Sequence, residues 1–119
     1  MFKDVLRELV EKTDGGLASL VMDREGIALE SYALDNAQFD INVLGVEFGI
    51  VLGQVKRAVE SLQAGAAQEV AICTDKVTAL LRVLGDGYFL ALAIKPDGNL
   101  GKGRYLMRTT APRLLAELH

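Results

Sequence analysis

The sequence predicts an α+β domain built on a five-stranded, mainly antiparallel sheet, with helices covering both of its faces. Five short apolar runs are separated mostly by tight breaks, and no βαβ repeat of the kind that makes a parallel sheet is present. Three further segments carry apolar residues at helical spacing. The chain has 119 residues, of which 50% are hydrophobic, so residues 1–119 suit a single domain with its own core.

The first part of the chain predicts a helix followed by a β-hairpin. Apolar residues recur at helical spacing over Phe2–Lys12, and Gly15 and Gly16 supply the stop. The two runs at 17–22 and 27–32 are short and apolar. Between them, Asp23-Arg24-Glu25-Gly26 combines a residue that favours the first turn position with a glycine that tolerates positive φ. This pattern predicts a four-residue hairpin loop.

A second helix is predicted over residues 39–63, and it has two apolar sides. One side is a continuous stripe that is typical of a core face: Ile41, Leu44, Phe48, Val51, Leu52, Val55, Val59 and Leu62. A smaller group, Val43, Val46 and Ile50, lies nearly opposite this stripe. A monomer would leave the second group in water, so the pattern favours contact with another chain.

Three glycines, Gly45, Gly49 and Gly53, step at intervals of four between these two apolar groups. Each glycine in a helix interior costs about 0.5–1 kcal/mol relative to alanine, so the series needs a structural reason. Its spacing places the glycines along one side, where another backbone can approach closely. A helix of a second subunit is the favoured neighbour, and tight packing against the sheet of the same chain is the alternative.

The remainder of the chain predicts a three-stranded meander and a last helix. Residues 69–74, 77–84 and 88–94 are strand-like runs, and their tight breaks suit antiparallel hairpins. Residues 100–118 have helical spacing, interrupted by Pro112, which removes one backbone hydrogen bond and is expected to bend the helix near Arg108.

Composition excludes several classes of protein. The formal net charge of −3 and the pI near 5.1 show no excess of basic residues of the kind that binds nucleic acid. The longest apolar region, 41–55, is shorter than a bilayer span, and residues 1–12 lack the apolar run and cleavage site of a signal peptide. The single cysteine, Cys73, precludes a disulfide within the chain. We therefore expect a cytoplasmic protein that binds neither nucleic acid nor a membrane.

Few residues are candidates for catalysis. Cys73 lies in a predicted strand without a visible basic environment, so we expect a packing residue rather than a nucleophile. His119 is the only histidine and the last residue, which is a poor place for a general base. Asp23 and Glu25 are expected at a solvated hairpin tip. These observations predict no catalytic residue, no metal site and no cofactor.

The start of the last helix is a weak candidate for an anion site. Gly98, Gly101 and Gly103 surround it, but they complete neither of the common phosphate-binding glycine motifs. The nearby cations, which could contact an anion or an acidic partner, are Lys102, Arg104 and Arg108. The alternative is a turn and helix start whose exposed charges serve solubility.

Four features of the chain together resemble the Roadblock/dynein light chain domain. They are the order of elements, the hairpin at 23–26, the meander, and the start of the last helix, Asn99-Leu100-Gly101-Lys102-Gly103-Arg104. The MglB-like branch is the most similar in character, and the resemblance covers nearly the whole chain. It implies a profilin-like α/β sandwich, α-β-β-α-β-β-β-α, with sheet order 2-1-5-4-3. It also implies a homodimer, or a heterodimer with a paralogous Roadblock protein.

In that family the second helices pack together and the third strands pair across the dimer. Carried onto this chain, the resemblance and the helix pattern give one expected dimer interface: Val43, Gly45, Val46, Gly49, Ile50, Gly53, Val70, Ala71, Ile72 and Cys73. An edge strand this apolar is an aggregation liability if it stays unpaired.

The resemblance further implies a non-enzymatic regulator or scaffold that binds a Ras-like small GTPase and modulates its nucleotide cycle without lending a catalytic residue. Two other functions stay open at this point. One is a small-molecule or anion sensor, which predicts a pocket near the start of the last helix. The other is a structural adaptor without a GTPase partner.

Overall fold

The structure, a computed structural model, describes residues 1–118, and His119 lies outside the described residues. The predicted order of elements is confirmed, with boundaries within two residues of those expected. The elements are α1 (Phe2–Lys12), β1 (Gly16–Asp23), β2 (Ala28–Ala33), α2 (Ile41–Ser61), β3 (Glu69–Cys73), β4 (Thr78–Leu84), β5 (Tyr88–Ile94) and α3 (Leu100–Glu117).

The five strands form one antiparallel sheet in the order β2-β1-β5-β4-β3, which confirms the fold class and the implied strand order. Three tight hairpins, β1–β2, β3–β4 and β4–β5, account for part of this order. The central pairing of β1 with β5 joins the N-terminal hairpin to the C-terminal three-stranded meander. Strands β2 and β3 are consequently the two edges of the sheet.

Helices cover both faces of the sheet, as predicted. Helices α1 and α3 pack against each other and on one face, where buried side chains include Leu6, Leu80, Leu92, Met107 and Leu114. Helix α2 packs on the opposite face, mainly over β1 and β2. The largest fully buried side chains of that second core are Leu20, Met22, Leu52 and Leu81.

The core stripe predicted along α2 is only partly buried. Ile41, Leu44 and Leu52 are buried, but Leu62 is 77% exposed, so its predicted core position is wrong. The other members of the stripe, Phe48, Val51, Val55 and Val59, are half-buried. The physical reason is that α2 contacts the sheet mainly over β1 and β2, so the sheet does not cover the stripe along its whole length.

Local hydrogen bonds explain where the elements begin and turn. The Asp23 carboxylate accepts from the backbone N–H groups of Glu25 (2.9 Å) and Ile27 (3.0 Å), and Gly26 takes a φ of +86°. Asp23 is thus a turn residue, as the hairpin interpretation predicts. The side chains of Asp40 and Asn99 cap the N-termini of α2 and α3. Helix α3 continues through Pro112.

Candidate interaction surfaces

The outward side of α2 carries three exposed aliphatic side chains, which we call the α2 apolar face. Val43 is 57% exposed, Val46 42% and Ile50 58%. These residues lie on one side of a single helix, so their side chains form a connected apolar strip rather than scattered exceptions. Apolar strips of this kind mark surfaces that other molecules cover.

Two of the three α2 glycines approach the sheet of their own chain. A Cβ on Gly45 would lie 2.8 Å from Cδ2 of Leu20, and one on Gly49 would lie 3.1 Å from Cζ of Phe89. Both distances are shorter than ordinary van der Waals contact, so a larger residue at either position would have to displace the facing side chain. The close approach favoured for a second subunit is therefore made, at these two positions, within the chain.

Gly53 differs from the other two glycines. The nearest atom to a Cβ at this position would be the Nη1 of Arg57, at 3.8 Å, so the structure leaves open space beside it. Of the three glycines, only Gly53 lacks a steric explanation within residues 1–118. Its place in a subunit interface stays a prediction.

Strand β3 lies at the edge of the sheet, and its backbone is paired only on the β4 side. The N–H of Thr74 donates to Val77 O (2.9 Å) and the N–H of Val83 donates to Gln68 O (3.0 Å). These two bonds show which residues of β3 form backbone hydrogen bonds with β4: they are the even-numbered ones. The backbone groups of Glu69, Ala71 and Cys73 accordingly face the open edge.

The side chains of β3 alternate between the two faces of the sheet. Val70 and Ile72 are half-buried against the core under α2, so this strand continues the apolar surface of that face. Ala71 and Cys73 are exposed on the face of α3. The expectation that Cys73 is a packing residue is wrong within this chain, because the strand that carries it is an edge.

An open groove of about 810 Å³ lies between α2 and the loops at 23–26, 65–67 and 85–87. The two hairpin tips are joined there, because the backbone N–H of Arg24 donates to Gly87 O at 2.9 Å. The Arg24 guanidinium fills the space over Gly87, whose φ is +92°. The groove is contiguous with the α2 apolar face, since Val46 and Ile50 line both.

The start of α3 is built as a capped helix terminus. The Asn99 carboxamide oxygen accepts from the Lys102 N–H at 2.9 Å, which occupies a donor that an anion would need. A Cβ on Gly98 would lie 2.7 Å from Asp14 O, and one on Gly103 2.8 Å from Cδ1 of Ile94. These glycines therefore serve packing, and the loop agrees with the alternative of a turn and helix start.

Two of the three predicted cations, Arg104 and Arg108, come together with a third arginine that the sequence analysis missed. They line a shallow groove of about 520 Å³, which we call the arginine groove: Ala66, Gln68, Glu69, Arg82, Arg104 and Arg108. Glu69 forms ion pairs with Nε of Arg104 (2.6 Å) and Nη1 of Arg82 (3.5 Å). Lys102 is exposed and lies outside the groove.

Within residues 1–118, no group of three or more His, Cys, Asp or Glu residues is placed to hold a metal ion. Over the same range, no helix combines the length and apolar character needed to cross a bilayer. The surfaces that the structure does present are the α2 apolar face, the open β3 edge and the arginine groove. All three suit contact with other macromolecules.

Fold and surfaces together define a small α/β sandwich that has an exposed apolar helix face and an open sheet edge. The chain is 39% identical to MglC from Myxococcus xanthus, whose crystal structure it matches with a TM-score of 0.70 over 96% of each chain. It matches a Roadblock/LC7 domain from Streptomyces avermitilis with a TM-score of 0.86, at 14% identity over 98% of this chain and 96% of that one. The chain belongs to the Roadblock/LC7 domain family, which confirms the resemblance.

An MglB protein solved with a tetrameric arrangement is also similar, with a TM-score of 0.85 and 20% identity over 95% of this chain and 84% of that chain. At this identity, as with the Streptomyces domain, the likeness shows a shared fold. No family model matches the chain, and no curated protein matches it.

Proposed function

We propose that this protein is a dimeric, non-enzymatic regulator that binds a Ras-like small GTPase and modulates its nucleotide cycle. Membership of the Roadblock/LC7 family supports a regulatory domain of small-GTPase systems. The observation that carries the proposal is that the chain presents both an exposed α2 apolar face and an open β3 edge. This arrangement provides surfaces for other chains rather than a cleft for a reaction.

The dimer is supported by the physical cost of leaving these surfaces in water. Fully burying a valine or isoleucine side chain stabilises a structure by about 1.5–3 kcal/mol, and three such side chains on α2 begin roughly half exposed. The outward backbone groups of Glu69, Ala71 and Cys73 can pair with a second strand. Val70 and Ile72 of the same strand pack against the core on the α2 side of the sheet, so the strand extends the apolar surface of that side to the open edge.

The second copy can be the same chain or a paralogous Roadblock protein. The MglB structure solved as a tetrameric arrangement supports self-association as a property of this fold. Since both the helix face and the strand edge belong to one chain, two identical copies can present them to each other around a two-fold axis. We favour the homodimer for this reason.

The GTPase part of the proposal is tested by binding in defined nucleotide states. The purified protein is titrated into Ras-like GTPases from the same genome, loaded with GDP or a non-hydrolysable GTP analogue, and followed by calorimetry. We expect binding that differs between the two states. The absence of binding to every such GTPase in both states would contradict the proposal.

The sensor alternative predicts a pocket near the start of the last helix. The larger groove instead lies beside the β4–β5 turn, at the other end of β5 from the start of α3. The Asn99 cap and the packed glycines leave the helix start closed. The arginine groove does lie beside the first turns of α3, but it is shallow and open, which favours contact with macromolecules over a small-molecule sensor at that position.

A further inference from the structure

We propose that the arginine groove binds glutamate or aspartate side chains presented by a segment of a partner protein. The groove lies on the α3 side of the sheet, because Glu69 and Arg82 are directly paired across β3 and β4 and Glu69 contacts Arg104 of α3. The α2 apolar face lies on the opposite side. The proposal does not rest on the α2 apolar face, but the groove borders the β3 edge, because Glu69 belongs to both.

The charges in the groove are unbalanced. Three guanidinium groups face a single carboxylate, that of Glu69. This carboxylate is already shared between Arg104 and Arg82. Arg108, one helical turn beyond Arg104, has no carboxylate within 4 Å in the part of the chain that the structure describes. A local positive charge results in a protein whose formal net charge is −3.

The ion pair between Glu69 and Arg82 forms the bottom of the groove, which we call its floor. The side chains of Glu69 and Arg82 are only 12% and 19% exposed, whereas Arg104 is 51% exposed. Glu69 accepts from Nε of Arg104, and the Nη groups of Arg104 make no hydrogen bond to any residue in 1–118. The half-buried pair of Glu69 and Arg82 thus holds the exposed Arg104 guanidinium, whose outer N–H donors stay free. Solubilising charge alone needs no such support, and a guanidinium held this way suits carboxylate recognition.

The shape of the groove favours side chains of a protein segment over other anions. It is shallow and open, unlike the enclosed clefts that bury most of a small ligand. The overall negative charge of the chain opposes the approach of a long polyanion such as nucleic acid. Carboxylates projecting at intervals from a short segment can reach Arg104 and Arg108 on successive turns of α3.

The test uses a fluorescein-labelled peptide of alternating glutamate and serine, with binding followed by fluorescence anisotropy at low and moderate salt. We expect weak, salt-sensitive binding by the wild-type protein and a dissociation constant raised at least about fivefold by Arg108→Glu. Lys102→Glu is the matched control, since it makes the same charge change on the same helix outside the groove. It should change the dissociation constant less than about twofold.

Location is checked by amide NMR shifts, which should concentrate at Gln68, Glu69 and Arg82 when the peptide binds. Equal melting temperatures for both variants show that folding is intact. Failure of the peptide to bind, or equal losses for Arg108→Glu and Lys102→Glu, would overturn the proposal. Tighter binding of inorganic phosphate or of a single-stranded oligonucleotide of similar length would also overturn it, in favour of a different ligand class.

Discussion

Gly49 of α2 faces the ring of Phe89 on β5 so closely that a Cβ would lie 3.1 Å from Cζ and 3.2 Å from Cε1. This contact changes what the glycine series means. The helix is held against its own sheet at Gly45 and Gly49, and its outward side carries the exposed Val43, Val46 and Ile50. A bulky residue at Gly49 therefore tests packing within the chain before it tests any interface.

We expect Gly49→Leu to destabilise the fold by about 1–3 kcal/mol, because the added side chain must displace Phe89 in a packed core. Gly53→Ala is the matched control, since its Cβ would meet nothing closer than 3.8 Å. Alanine there should stabilise the helix by about 0.5–1 kcal/mol. Urea unfolding of both variants measures the two free energies, and equal effects would contradict the packing difference.

The α2 apolar face makes a separate prediction for the oligomeric state. Ile50→Glu places a charge on an isoleucine that is 58% exposed, so the monomer should stay folded while the dimer dissociates. The expected loss of affinity is at least tenfold, or about 1.4 kcal/mol. Light scattering coupled to size-exclusion chromatography over a concentration series measures it.

Ile27→Glu is the control for that experiment, because Ile27 is 59% exposed but lies in the β1–β2 turn rather than on α2. Its dimer should match that of the wild type. A wild-type protein that is monomeric at high concentration, or an Ile50→Glu variant that dimerises normally, would count against the α2 interface.

The Glu69 carboxylate is expected to matter more for stability than either of its partners. Glu69→Gln leaves Arg82, which is 19% exposed, beside a neutral amide, and we expect a cost of about 1–3 kcal/mol. Arg104→Ala should cost less than about 1 kcal/mol, because Arg104 is half exposed. A double-mutant cycle measured by denaturant unfolding gives the coupling, and a negligible effect of Glu69→Gln would contradict the floor described for the groove.

Stability should also depend on the ionisation of Glu8. Hydrogen bonds from Lys12 and then Arg113 hold the pKa of the Glu8 carboxyl below its ordinary value of 4.5. A carboxyl whose pKa is lowered on folding stabilises the fold above its unfolded pKa, and this contribution is lost as the pH falls through the folded value. NMR titration should show Lys12→Ala raising the Glu8 pKa, and an unchanged pKa would argue against the pairing.

Periodicity was sufficient to predict the helices, strands and hairpins, because these depend on local spacing and turn chemistry. The residues 23–26 illustrate this, since Asp23 and Gly26 act in the turn as their types predict. The target of the α2 glycines could not be predicted in the same way. Spacing shows which residues share a side of a helix, whereas the neighbour of that side depends on how α2 lies over β1 and β5.

Arg82 shows a signal that the sequence contains but the sequence analysis did not use. It is the one charged residue in the otherwise apolar Thr78–Leu84 strand. A charge in such a strand needs a partner, and the antiparallel register places Glu69 directly opposite. Identifying Arg104 as the third member required the tertiary structure, because 35 residues separate it from Glu69.

The contacts at Gly45 and Gly49 have a consequence for how the outer side of α2 meets a partner. At Gly45 and Gly49 the helix cannot move closer to the sheet without displacing the side chains of Leu20 and Phe89. The strip of Val43, Val46 and Ile50 is thus a rigid, preorganised template. Little conformational entropy is lost when it docks, and shape adjustment falls to the incoming molecule.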